Sequence, residues 1–372
     1  MAPVATTPQP TVEETLKKPV NGTSKLVNPF YSPTVPDDGG ADDGYEFAHY
    51  KPFFPDVKWA PLEEIAVTDR AHSADPEKKA LLSAAAKVQH LTPAIGTEIS
   101  GLDLRQLSDQ QKDELALLVA ERGVVFLRDQ EINIREQLEL GRHWGPLHKH
   151  ATTPIPREPG LEEVHVVYTD GSRRPDPTSF SKLDLWHSDV SYEVQPPSTT
   201  SLKVIYGPPY GGDTLWTSGY ALYSYFSPPF QKYLETLQVL PITQESHPIL
   251  TLHRSGFTRR IVGVPKAESD AILRLLFHQL SENPDFQVRF HWEPNSIAIW
   301  DNRVTTHSAS FDFWPHKRHA LRSTPHGEKP ISVEEYESGG KVAKDRQIEI
   351  WKQQGLEVQP LDTKSTPRGY SD

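Results

Sequence analysis

The stretch Phe286-Gln287-Val288-Arg289-Phe290-His291-Trp292 alternates apolar and polar residues without a break. Only an extended chain sends successive side chains to opposite faces, so this segment is predicted to be a β-strand with one face in a core and the other in water. Runs from Val164 to Tyr168, Ser201 to Tyr206, Ser296 to Trp300 and His319 to Ser323 predict further strands. The second half of the chain therefore reads as mainly β. Helices flank it: Ser108 with Gln111 forms a capping box and Gly123 follows the last apolar position, ahead of a buried strand Val124-Val125-Phe126-Leu127. A second box, Asn133 with Glu136, opens a helix ending near Gly145, and Ile272, Leu273, Leu276 and Leu280 predict a helix over Lys266 to Ser281 lying against the sheet.

Outside this region the composition changes. Residues 1–44 are rich in Pro, Thr and Asp, with too few apolar residues to offset the entropy of ordering, and are expected to form a flexible tail. Residues 45–87 mix Phe47, Tyr50, Phe53, Phe54 and Trp59 with many prolines, the pattern of an extended arm that packs on its own domain or on a neighbouring subunit. A core domain is expected over 88–330, with a C-terminal helix and polar tail over 331–372. The formal charge of −11 leaves no basic footprint for nucleic acid. No apolar run is long enough for a bilayer and no secretory signal opens the chain, so no membrane partner and a cytoplasmic location are expected. With no cysteine, disulfides, thiolate chemistry, iron–sulfur clusters and cysteine-ligated zinc are excluded. Any metal must use His, Asp or Glu.

The chemistry concentrates in three places. In Trp186-His187-Ser188-Asp189, a His and an Asp two apart on an extended segment point to one side and can grip one ion. Such a pair is common by chance. Downstream, Ser296 to Trp300 delivers Asp301-Asn302-Arg303 and then His307, which completes two His and one carboxylate on one face of an octahedral ion. That arrangement, used by non-haem iron(II) oxygenases, leaves positions open for a bidentate co-substrate and O2. Beyond it, Arg318 and Arg322 share one face of a strand. An arginine fork suits the far carboxylate of 2-oxoglutarate, whose keto acid end chelates iron.

Seven ordered elements carry a family resemblance: Pro93-Ala94-Ile95-Gly96 with Ser100-Gly101, Val124 to Gln130, Trp186 to Asp189, Gly211-Gly212-Asp213-Thr214-Leu215-Trp216, Gly256-Phe257-Thr258, Trp300-Asp301-Asn302-Arg303 to His307, and Arg318 to Arg322. Over Val88 to Pro330 the chain resembles the taurine dioxygenase (TauD/TfdA) family of Fe(II)/2-oxoglutarate dioxygenases, and in particular fungal sulfonate dioxygenases. The resemblance implies a double-stranded β-helix, or jelly-roll, of mainly β structure with flanking helices. It implies Fe(II) on His187, Asp189 and His307, with O2 and 2-oxoglutarate as co-substrates. It places Thr214 and Arg318 on the 2-oxoglutarate carboxylate, Arg322 on an acidic group of cofactor or substrate, and His150 and Phe257 beside the substrate. The implied reaction hydroxylates a small or medium acidic molecule and releases succinate and CO2. An alkyl sulfonate is the leading substrate, giving aldehyde and sulfite; a carboxylate or secondary metabolite is the alternative. A dimer or tetramer is the expected assembly.

The departures from the family pattern are specific. Thr153 and Leu183 stand where a tyrosine and an asparagine hold taurine, which speaks against taurine itself, and Leu240 to Gly256, the lid region, is short. Two other classes remain open on sequence: a zinc hydrolase on the same ligands, which needs a general base, and a non-catalytic jelly-roll that binds a small acid. His148 and His150 are expected to serve the pocket or the structure rather than a second metal. His253, His316, His319 and His326 are expected on surface or loops. Asp301 is expected to turn the chain, Gly211 and Gly212 to form a turn, and Trp216, Trp292 and Trp300 to fill the core.

Overall fold

A computed structural model describes residues 44–55, 63–150, 153–176, 178, 185–240, 247–248, 258 and 260–361. The expected tail, Phe257, Leu183, His253 and nearly all of the lid region lie outside them. The capping boxes behave as read: Ser108 and Gln111 exchange hydrogen bonds at the start of helix α1 (Asp109–Arg122), and Asn133 and Glu136 do so at helix α2 (Ile134–Trp144). Gly123 ends α1 at φ 71°, where any β-carbon would stand 3.0 Å from Thr305 Cγ2. Helix α3 (Lys266–Glu282) buries Ile272, Leu273, Leu276 and Leu280, the stripe its spacing predicted.

Ten strands build the two sheets that carry the site: β1 (Lys87–His90), β2 (Thr97–Ser100), β3 (Val124–Leu127), β4 (Val164–Thr169), β5 (Thr199–Tyr206), β6 (Thr214–Ser218), β7 (Gln287–Phe290), β8 (Ile297–Asp301), β9 (Thr305–Ala309) and β10 (Arg318–Ser323). The larger sheet runs β1-β2-β3-β8-β5-β10-β4, and the smaller runs β7-β6-β9. Neighbours are antiparallel except β2 and β3. Strand neighbours far apart in sequence are what a jelly-roll requires, and the fold is that double-stranded β-helix with flanking helices.

The core lies between the sheets. Phe126 stacks on Phe290 with ring centres 4.0 Å apart and meets Trp216 edge-on at 5.3 Å. Trp216 is fully buried and Trp300 nearly so, as expected of them. Along β7 the alternation is realised: Val288 and Phe290 are buried while Arg289 is exposed. On the outer face of the larger sheet, Val125, Leu127, Ile297 and Ile299 pack with Leu115, Leu118 and Val119 of α1. Both faces of β3 and β8 are covered, which is why their sequences are continuously apolar rather than alternating.

The arm packs on its own domain. Pro52–Phe53 pairs with Ile155–Pro156, Gln195 exchanges two hydrogen bonds with the backbone of Ile65, and Arg70 forms a bidentate pair with Asp113. This arm also overturns one expectation. His319 is not on the surface: it is fully buried, with Nδ1 3.0 Å from the Tyr45 hydroxyl and Nε2 3.0 Å from the Tyr50 carbonyl. The arm covers the outer face of β10, so a histidine that alternation would send to solvent is enclosed. His326 is likewise buried, because its backbone donates to Pro146 while its ring packs on His148 at 5.0 Å. The C-terminal part contains two short helices, Val333–Ser338 and Arg346–Gln353, where one was expected. Among the described residues no helix is long and apolar enough to cross a membrane.

Candidate metal and co-substrate site

His307 sits in the middle of β9, opposite Trp216 of β6. His187 reaches it through an isolated bridge: the His187 N–H donates to the His307 carbonyl at 3.0 Å, and the reverse bond is 2.7 Å. The two histidines are thus fixed by backbone pairing. Asp189 follows in a turn rather than on a continuing strand, since Val190 takes φ 53°, a conformation that costs a β-branched residue about 1–3 kcal/mol. Asn302 holds this turn. Its Oδ1 accepts from the Asp189 N–H at 2.8 Å, and its Nδ2 donates to the carbonyls of Asp189 and Pro197 at 2.9 and 3.2 Å. Ser188 Oγ adds a 2.5 Å bond to the Thr305 carbonyl.

One ligand atom each from His187, Asp189 and His307 lies within 4.8 Å of the others, the one such cluster among the described residues. Asp189 Oδ1 is 3.7 Å from His187 Nε2 and 3.9 Å from His307 Nε2. His187 Nδ1 donates to the Leu185 carbonyl at 2.8 Å, which fixes its proton there and leaves Nε2 as a lone pair. Burial, with His187 beside it, pushes His307 well below the ordinary imidazole range, so it is neutral at pH 7 and able to ligate. Burial pushes the Asp189 carboxyl up, but Arg322, His307 and His187 outweigh it and hold it well below the usual carboxylate range. Its Oδ2 is buried without a donor. Two imidazoles and one ionised carboxylate with a free oxygen fit a divalent iron.

Arg318 and Arg322 lie on one face of β10, and both are buried. The Arg318 Nη2 has no acceptor, and its guanidinium stands 5.9 Å from the centre of the Trp292 ring. Burial, with Arg322 nearby, lowers it to about 10, so it keeps its charge at neutral pH. Thr214, opposite Ala309 and Phe290 in the smaller sheet, accepts from Trp292 Nε1 at 3.0 Å, which leaves its hydroxyl hydrogen for another partner. Trp292 is therefore core, as read, and also the link between Thr214 and Arg318. Its role could have been found from the alternation that turns it inward. Gly211 and Gly212 form the expected turn at φ 74° and 70°, and Gly212 leaves room for the Arg318 stem, 3.3 Å from where a β-carbon would be.

Arg322 makes a contact that the sequence did not announce, an ion pair from Nη1 to Asp189 Oδ1, while its buried Nε has no acceptor. Asp301 is structural: it receives Arg303 through the backbone N–H and the guanidinium, and Arg303 also pairs with Asp69 of the arm at 2.6 Å. His148 is buried, with Nε2 2.8 Å from Glu193, and burial, with His148 and Arg322 adding, lowers His150 to about 3.

A jelly-roll with a two-histidine, one-carboxylate cluster between its sheets has the donor set that suits the non-haem iron class of protein. Comparison with known proteins narrows this. The model of the taurine catabolism dioxygenase TauD, TfdA family matches residues 87–250 and 246–324, and the chain belongs to that family. It is accordingly an alpha-ketoglutarate-dependent dioxygenase, an oxidoreductase. A relative from Schizosaccharomyces pombe is 38% identical over 317 residues, spanning 77% of this chain and 81% of its own. The alpha-ketoglutarate-dependent sulfonate dioxygenase of Saccharomyces cerevisiae is 36% identical over 323 residues, covering 74% of this chain and 76% of its own. The crystal structure of a taurine dioxygenase from Burkholderia xenovorans superposes with a TM-score of 0.56 at 28% identity, over 67% of this chain and 91% of that one.

Proposed function

We propose that this chain hydroxylates an alkyl sulfonate, with His187, Asp189 and His307 holding Fe(II) and with Thr214 and Arg318 holding 2-oxoglutarate. One atom of O2 enters succinate as CO2 leaves, and the other becomes a hydroxyl on the carbon that bears sulfur. That hydroxysulfonate then loses bisulfite to leave an aldehyde. Bound iron(II) would supply the activation of dioxygen. The observation that carries the reading is the presence, beside the metal cluster's neighbour Arg322 on one strand face, of Arg318, a buried guanidinium whose Nη2 lacks an acceptor and which meets the same Trp292 side chain as the Thr214 hydroxyl.

The residues divide the work. His187 and His307 present Nε2 from paired backbones, and Asn302 orients Asp189. Arg318 and Thr214 orient the distal carboxylate of 2-oxoglutarate through charge-assisted bonds. Arg322 faces the Asp189 carboxylate, and with a dication bound there that carboxylate would be neutralised and the guanidinium would be left to attract an acidic substrate. His150 and Phe257 are the further substrate contacts. The substrate class rests on relatives that act on sulfonates, and Thr153 in place of tyrosine favours an alkyl sulfonate without an amine. The experiment is succinate formation with Fe(II), ascorbate and 2-oxoglutarate, with and without a panel of alkyl sulfonates and carboxylates. Sulfonate-stimulated succinate with equimolar sulfite is expected. Stimulation only by carboxylates would overturn the substrate, and no stimulation by any acid would overturn the reading.

A further inference from the structure

We infer that the smaller sheet carries a second small-molecule site on its far side, built for a neutral, mainly apolar molecule with one hydroxyl or carbonyl group. The site is separate from the metal cluster, and the inference does not rest on the oxygenase reading above. The register of the smaller sheet locates it. Thr306 and His307 are successive residues of β9, so their side chains leave opposite faces. His307 turns to the metal cluster. Thr306 stands opposite Thr217 of β6, whose hydroxyl donates to the Leu280 carbonyl of α3 at 2.8 Å, so the Thr306 face is the one that α3 covers.

That cover is incomplete. A cavity of about 420 Å³ remains between this face, α3, the short helices Gly219–Ser224 and Pro228–Glu235, and the C-terminal residues 333 and 343–346. An apolar cavity of about 150 Å³ holds benzene, so this one has room for roughly 10–17 carbon and oxygen atoms. Its wall is mainly apolar, with Leu222, Phe226, Leu234, Leu276 and Leu280. The charges in that wall are already matched. Lys232 pairs with Glu235 at 2.9 Å, Lys344 and Arg346 each with Glu349 at 3.2 Å, and Arg303 with Asp301 and Asp69 at 2.7 and 2.6 Å. Asp345 accepts from the Ile348 N–H at 3.2 Å. An ionised head would enter with its own charge unpaired, and burying such a charge is costly, whereas a neutral body gains from leaving water. One lining group lacks a partner: Thr306 is 3% exposed, and its buried hydroxyl makes no hydrogen bond. A single hydroxyl or carbonyl on the occupant would match it.

The test is calorimetric titration of the full chain with 1-decanol and with decanoate at neutral pH, in wild type and three variants. Saturable binding of one 1-decanol per chain is expected, about tenfold or more tighter than decanoate. Ala343→Trp and Gln231→Trp each bring an indole into the cavity from a half-buried position, and each is expected to weaken 1-decanol by about tenfold or more. Thr306→Val keeps the shape and removes the hydroxyl. It is expected to weaken 1-decanol by about 2–10-fold without lowering the unfolding midpoint, because that hydroxyl has no partner to lose. Saturating 2-oxoglutarate with Fe(II) should leave the titration unchanged, and displacement of 1-decanol by it would place the alcohol in the metal site and overturn the inference. So would the absence of saturable binding, decanoate affinity equal to that of 1-decanol, or wild-type affinity in both tryptophan variants. If one tryptophan variant does not fold, the other decides, and unchanged 1-decanol affinity in Thr306→Val overturns the assigned hydroxyl contact. Succinate formation has no bearing on any of these outcomes, so failure here and failure of the oxygenase reading are read separately.

Discussion

Removing the Asn302 side chain tests whether the metal site is set by its ligands or by what holds them. Asn302 is fully buried and spends its amide on three backbone groups: the Asp189 N–H and the carbonyls of Asp189 and Pro197. In Asn302→Ala these groups lose their partners, and each buried polar group left unmatched costs about 1–3 kcal/mol. Water entering the small void recovers part of that, and release of the Val190 turn from φ 53° returns about 1 kcal/mol. The net expectation is a loss of about 2–4 kcal/mol in unfolding free energy, read as a lower urea midpoint at unchanged m-value. Iron affinity is the sharper readout, because Asn302 touches no ligand atom of Asp189 and acts only through its backbone. Loss of such an orienting partner typically weakens metal binding by about 10–100-fold. Fe(II) titration under anaerobic conditions measures it directly. Asn302→Asp keeps the acceptor for the Asp189 N–H but loses both donated bonds, so it should fall between wild type and alanine. An alanine variant with wild-type iron affinity would refute the reasoning and locate the rigidity of the site elsewhere.

His307→Ala should abolish Fe(II) binding and turnover, and retained iron in a titration would sink the ligand assignment. Arg318→Ala should raise the KM for 2-oxoglutarate by about 100-fold or more while iron stays bound, since it removes a charge-assisted anchor and no ligand. Because burial lowers the Arg318 guanidinium only to about 10, it stays protonated up to pH 9, and 2-oxoglutarate affinity should weaken only as pH rises toward that value. A fall centred near pH 7 in equilibrium titrations would assign the carboxylate to another group. Gly212→Ala puts a β-carbon 3.3 Å from Arg318 Cδ at a φ of 70°, and should raise the KM for 2-oxoglutarate several-fold with iron affinity unchanged.

Much of this was legible because the relevant physics is local. Alternation over Phe286 to Trp292 shows which side chains face inward, and the capping boxes at Ser108 and Asn133 mark helix starts to the residue. The cluster proposed to hold the metal stood out for a different reason: His187, Asp189 and His307 are chemically unusual as a group, and the chain has no cysteine to offer another. What stayed hidden depends on which strands become neighbours. Nothing near His165 says that it will stand across from Arg322, since the two are brought together by the pairing of β10 with β4. His319 was misread for the same reason. Its strand alone predicts an exposed face, and only the fold shows that Tyr45 and Tyr50 come back to cover it.

That covering connects the arm to the chemistry. Strand β10 carries Arg318 and Arg322 on its inner face and His319 on its outer one, and the outer side chain is held at both ring nitrogens by the arm. Arg303 extends the connection: it joins Asp69 of the arm to Asp301, the last residue of β8, one position before the Asn302 that orients Asp189. Burial works against the Arg303 charge, but the Asp301 and Asp69 carboxylates raise its pKa well above the ordinary value, so the guanidinium keeps its charge. Among its described residues, this arm, rich in proline and aromatic residues, contributes none to the candidate site. It nonetheless clamps the strand that presents the two buried arginines and the loop that orients Asp189, and rigid support of this kind is what keeps an oxidising site in register with its substrate.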